Sequence, residues 1–235
     1  MSDDSPRQSP ARRSVLSRLG AGVTMAGAAL VFGGSRADAQ SPGGGDWRPA
    51  RHAQDDWMDR IPGKHRFVFD TTTPAGFGSA LAFANNYFIA NQTGYGLGDG
   101  DAAVIIVARH FSTPFAYKDP MWAKYGTVLA QPTQFDDPKT RRRPTINVYT
   151  AAGYSELPSM GVTVDTVAKR GVQFAVCQMA TRHFADLAAQ ATGGNADTIY
   201  NELVANLIGN SHLAAAGIVA VNRAQERGYT SATAV

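Results

Sequence analysis

The chain contains one sulfur nucleophile, Cys177, within residues 171–182, GVQFAVCQMATR. It stands at the end of a short apolar run and just ahead of a helical pattern. A thiol there gains from the partial positive charge of the helix N-terminus, which favours the nucleophilic thiolate. Arg182, placed by the pattern in the first turn of that helix, is expected to support it. The same spacing also fits a core cysteine, because unpaired cysteine is among the most buried residue types. On spacing alone, the reactive and the inert reading stay open. There is no CxxC redox pair and no CxxCH haem attachment, and one cysteine forms no intrachain disulfide.

A second candidate is residues 70–76, where Thr71, Thr72 and Thr73 precede Pro74, Ala75 and Gly76. Hydroxyls and amides at a helix start can cradle a phosphate, and the layout is similar to the phosphate loop of flavodoxins, which opens an FMN reading. Against it, Pro74 removes one amide donor, and threonines are ordinary helix caps. The five histidines, His52, His65, His110, His183 and His212, are scattered without HExxH or i,i+4 pairing, so no metal site is expected. His110, just past the second strand, is the one histidine expected to share a strand-end cleft with Cys177. No Gly-x-Ser-x-Gly elbow, Walker loop or dinucleotide fingerprint is present.

The elements that must position these groups follow from periodicity. Residues 64–70 (KHRFVFD) predict a first strand, and Phe77, Leu81, Ala84 and Phe88 a helix over 75–92. Residues 102–108 (AAVIIVA) are apolar throughout, as a strand covered on both faces requires. A short helix is expected around 115–125. Residues 126–158 read as a surface insertion with an added hairpin, a strand at 145–149 and a solvated arginine run, Arg141, Arg142 and Arg143. Thr163 caps a helix to Arg170, 172–177 form the next strand, and helices follow over 181–191 and 195–208. A short strand at 212–215, a helix at 217–227 and a last edge strand at 229–233 complete the pattern. Strands alternating with helices predict an α/β domain, a mostly parallel sheet with helices on both faces. Sites in such folds form outside the carboxyl ends of the strands, and Cys177 falls at one.

Composition fits an ordinary globular protein: 44% hydrophobic, with 24 glycines and 12 prolines. The net charge is +3, and residues 1–39 carry five arginines against three aspartates, leaving little basic excess on the remainder. Binding of nucleic acid by the folded part is therefore not expected. Arg12-Arg13, a weakly apolar Gly/Ala-rich stretch over 19–32 and Ala37-Asp38-Ala39 are the parts of an export leader in order. The paired arginines resemble a twin-arginine (Tat) signal. The expectation is a signal peptide over 1–39, cleaved after Ala39 by way of the Tat machinery. The result is a periplasmic or exported protein without membrane insertion, since a span needs about 20 apolar residues. Residues 40–63 read as a flexible linker, and 64–235 as one domain carrying the insertion at 126–158.

Residues 171–182, followed by 216–229 (AGIVAVNRAQERGY), resemble the DsrE/DsrF/TusD family. The C-terminal half of that family has a strand ending in cysteine, a helix of the GxxAxxxAQExGY kind and a short last strand. The likeness covers 67–108 loosely and 162–229 more closely. Residues 126–158 and the helix at 195–208 look like additions. The resemblance implies a three-layer, flavodoxin-like sandwich, homo-oligomeric assembly, no cofactor, and sulfur relay through a persulfide on Cys177 with a sulfur-donor or sulfur-acceptor protein as partner. Two other readings stay beside it: a non-catalytic binding or assembly module whose cysteine is inert, and the FMN-binding protein.

Overall fold

Seven consecutive apolar residues, Ala102–Ala108, are all buried, which places this strand (β2) at the centre of a sheet rather than on a wetted surface. The computed structural model describes residues 48–235. The expected leader, its cleavage site and the first part of the linker lie outside the described residues. β1 (His65–Thr71), β2, β3 (Gln173–Cys177), β4 (Ser211–Ala214) and β5 (Thr230–Ala234) form one sheet in the order β4-β3-β2-β1-β5. Every pairing is parallel. The helices are α1 (Trp57–Arg60), α2 (Pro74–Tyr95), α3 (Asp119–Ala130), α4 (Val164–Lys169), α5 (Gln178–Thr192), α6 (Ala196–Ala205) and α7 (Gly217–Gln225). The arrangement is a three-layer α/β sandwich. Among the described residues, no helix is long and apolar enough to cross a membrane.

Alternation along the strands divides the core in two. Val104, Ile106, Phe69, Phe174 and Val176 point to one face and pack with Phe77 and Phe88 of α2, Trp122 of α3, Val167 of α4, Phe184 of α5 and Leu203 of α6. Ala103, Ile105, Val107, Val68 and Ala175 point to the other face, where they meet Ala220, Val221 and Ala224 of α7 and Met58 of α1. The chain therefore passes from β1 to β2 to β3 to β4 over the first face. It returns from β4 to β5 over the second face, as right-handed crossovers require when the direction of strand addition reverses. Neighbouring strands β3 and β4 send their next helices, α5 and α7, to opposite faces.

Two sequence expectations are corrected. The linker assigned to 40–63 is packed from residue 53 onward: a 3-10 turn (Ala53–Asp55) leads into α1, with Met58 fully buried and Ile61 nearly so. Trp57 stacks flat on His212 of β4, ring centroids 3.9 Å apart, and the Tyr229 hydroxyl donates to the Met58 carbonyl at 2.7 Å. The surface insertion at 126–158 is the second. Its beginning belongs to α3, and Val148, Tyr149, Tyr154 and Leu157 are core residues of the first face. No strand forms at 145–149, and one isolated bridge, Asp137 with Arg142, stands where a hairpin was expected. Side chains replace the ladder there. The Asn147 amide donates to the carbonyls of Phe115 (2.7 Å) and Tyr117 (2.8 Å), which satisfies polar groups that a buried loop would otherwise strand. In the arginine run, Arg141 and Arg142 are exposed, while Arg143 ties the loop to Asp136 at 2.6 Å.

Candidate functional site

In a parallel sheet the ends of neighbouring strands part where their connections leave toward opposite faces, and a crevice opens between them. Here that point lies between β3 and β4. A cleft of about 510 Å³ occupies it, lined by Arg109, His110, Phe111, Cys177, Met179, Ala180, His183, Phe184, Ala216, Gly217 and Ile218.

Cys177 is the last residue of β3, paired with Ala214, and is also the N-cap of α5. Its Sγ accepts the Ala180 N–H at 3.4 Å, so the sulfur takes the place a serine or aspartate oxygen holds in an ordinary cap. That is one step closer to the helix than the strand-then-helix pattern implies. Its carbonyl accepts from Thr181 Oγ1 at 2.9 Å, and Thr181 in turn accepts from the buried Tyr117 hydroxyl at 3.0 Å. Burial raises the Tyr117 phenol well above its ordinary value, the bond to Thr181 opposing, so Tyr117 remains a donor and pins the strand end. Cys177 is 6% exposed and lines the cleft, so a reagent reaches it through this opening.

The cation in the cleft is Arg109. Its Nε and Nη2 bind both oxygens of Asp70, at 2.6 and 2.8 Å, a forked pairing that fixes the guanidinium plane. This hydrogen-bonded carboxylate holds Arg109 above its ordinary value, and Cys177 adds to the shift in the same direction. The stem of Arg109 lies flat against α7. A Cβ on Gly217 would overlap Arg109 Cβ, so the close approach of the two elements requires glycine there. Below the arginine, the buried Ser112 hydroxyl donates to the Thr71 carbonyl and accepts the Arg109 N–H, both at 2.9 Å. These bonds lock the ends of β1 and β2 together.

His110 follows Arg109 and is exposed, with φ +55°. This left-handed backbone is uncommon for a residue other than glycine, and it turns the chain off β2 into the 3-10 segment His110–Ala116. His183 enters from α5. The structure thus brings His110 and Cys177 into one cleft and adds Arg109 and His183, which sequence reasoning missed. His183 was legible in principle: residues 179, 180 and 183 share a helix face next to Cys177. Arg109 sits one residue past the apolar strand and carried no local signal.

Arg182 is not in the cleft. Its Nη1 bonds Asp197 Oδ1 at 2.6 Å, and its guanidinium lies 3.9 Å from the Tyr200 ring centroid. Helical phase explains the difference: position 182 falls off the 179–180–183 face and toward α6. Its expected support of the thiol is corrected to a bracket between α5 and α6.

The threonine loop is also accounted for. Thr71 Oγ1 lies 2.7 Å from the Val107 carbonyl, and Thr73 caps α2 by accepting the Gly76 N–H at 2.8 Å. A Cβ on Gly76 would overlap the Ala234 carbonyl, so the end of β5 is seated on the start of α2 where a phosphate would bind. These residues do not fit an FMN phosphate. Among the described residues, no group of three or more His, Cys, Asp or Glu side chains is placed to hold a metal ion. Comparison with protein-family profiles, with curated proteins and with solved structures gives no match for this chain.

Proposed function

We propose that the protein is a single-thiol carrier of sulfane sulfur, an exported DsrE-like protein in which Cys177 holds the sulfur as a persulfide. The observation that carries this reading is the seat of the thiol, at the N-cap of α5 and the mouth of the β3–β4 crevice, beside a fixed guanidinium. The Ala180 N–H already bonds Sγ at 3.4 Å, and Arg109 lines the same cleft, so donors are in place for the charge that moves through the sulfur during transfer. In loading, Sγ attacks a sulfane sulfur of the donor. The new bond is Sγ–S, the donor's S–S bond breaks, and its electron pair leaves on the shortened donor. No outside oxidant is consumed. Placement outside the cytoplasm follows from the leader read in residues 1–39, and assembly into homo-oligomers and exchange with a sulfur-accepting protein follow from the family resemblance.

Incubation with inorganic tetrasulfide followed by intact-mass measurement tests it. The expected product carries the mass of one added sulfur atom, is removed by a phosphine or thiol reductant, and is absent in Cys177→Ser. A protein that remains folded and stays at its original mass with both inorganic tetrasulfide and an organic persulfide overturns the reading and leaves an inert cysteine in a binding module.

A further inference from the structure

A site built for short inorganic sulfur anions would surround them with amides, hydroxyls and cations. The cleft is built otherwise. Phe111, Met179, Ala180, Phe184, Ala216 and Ile218 supply most of its wall, and its roughly 510 Å³ lies in the range of sites that enclose small organic molecules. Its mouth is apolar as well. Met179 is 68% exposed and Ile218 58% exposed, large apolar side chains left in water at the first turns of α5 and α7, where any polar residue would serve the helices equally. Apolar side chains clustered at the rim of a cavity mark a surface that something apolar covers.

The charge of the site is small. Arg109 is neutralised by Asp70 through Nε and Nη2, and its Nη1 has no hydrogen-bond partner among the described residues. One donor of a paired arginine suits a single negative charge better than a dianionic sulfur chain. Resting on the sulfur-carrier reading, we infer that the donor that loads Cys177 is a small organic persulfide, R–S–S⁻, whose apolar R group lies between Phe111, Phe184, Met179 and Ile218. Loading is then Cys177–SH + R–S–S⁻ giving Cys177–S–S⁻ + R–SH. The bond from Sγ to the outer sulfur forms, the inner S–S bond breaks with its electron pair on R–S, and the thiol proton ends on that leaving group. No further reactant takes part.

Two measurements test this, and they separate it from the reading beneath it. In the first, the intact-mass assay is run with benzyl persulfide and with inorganic tetrasulfide at matched concentration. Benzyl persulfide is expected to load wild-type protein at least about tenfold faster. Ile218→Asp, an exposed position where folding is not at stake, is expected to bring the two rates close together. In the second, phenylmethanesulfonate and methanesulfonate are titrated calorimetrically into Cys177→Ser, where no sulfur chemistry occurs. Binding that requires the ring, and that Ile218→Asp weakens, supports the proposal. Equal loading by the two donors, or no ring-dependent binding to Cys177→Ser, overturns it while the carrier reading stands. Failure of both donors to load wild-type protein overturns the carrier reading, and this proposal with it.

Discussion

Two helix starts on the same edge of the sheet have opposite fates. α2 begins after β1 with three threonines ahead of it, and α5 begins after β3 with a cysteine at its cap. The start of α2 is closed by the molecule itself: the Ala234 carbonyl sits on Gly76, and the buried Tyr149 hydroxyl donates to the Pro74 carbonyl at 2.8 Å. The start of α5 opens into the cleft. Residue types alone offer both helix starts as candidates, the thiol as a nucleophile and the threonines as a phosphate loop. Topology decides between them, because the helices that follow β3 and β4 leave toward opposite faces, whereas β1 lies between β2 and β5, both of which pair with it as far as its last residue, Thr71. A helix N-terminus becomes a site when the neighbouring connection turns away from it.

Asp70 joins the two regions, since it lies at the end of β1 while its partner Arg109 lines the cleft. Asp70→Ala leaves that guanidinium partly buried without its carboxylate, and should lower stability by about 2–3 kcal/mol. Denaturant midpoints would show it, and an unchanged midpoint would mean that the open end does not depend on the closed one. A somewhat smaller effect is expected of Gly217→Ala, whose Cβ has to displace the Arg109 stem, at about 1–3 kcal/mol. The same variant should slow alkylation of Cys177, because the wall of the cleft moves with Arg109. At the closed end, Tyr149→Phe removes one buried hydrogen bond. It should cost about 1 kcal/mol and leave the rate of Cys177 alkylation as in wild type. A changed rate there would break the separation between the two regions.

The smallest effect expected is a pH dependence away from both. Burial lowers His212 below its ordinary value, so the unfolded chain takes up a proton more readily than the folded one. The stability this histidine contributes is complete above the ordinary value of about 6.5 and falls as the pH drops through that value and below. Thermal unfolding of wild type and His212→Gln across this window checks the sign: the gap in midpoint should narrow on acidification.

The parallel fold was legible because its central strands, β1 to β3, carry short apolar runs with stops. β2 occupies the residues its apolar run marks, and α4 and α6 start at their expected caps, Thr163 and Asn195. Residues 126–158 were not legible. Their core residues, Val148, Tyr149, Tyr154 and Leu157, arrive singly among turn residues, with neither a 2 nor a 3.6 period to announce burial. The site was half legible. Cys177 could be placed at a strand end from its apolar run, and His110 by the end of β2. Arg109 and Gly217 are recognisable only together, since the glycine exists for the arginine stem and the two stand 108 positions apart in the chain. Arg182 was misplaced by less than one helical turn.

The position of β5 carries a kinetic consequence. β1 to β4 pair in chain order, so each can dock on the one before it through a nearby helix. β5 instead returns to β1, with Thr230 donating to the Arg66 carbonyl across 164 positions of sequence. Contacts this distant form late, after the entropy of closing the intervening chain has been overcome. The last strand should therefore be the slowest to gain amide protection on refolding and the first to lose it when the native sheet begins to open.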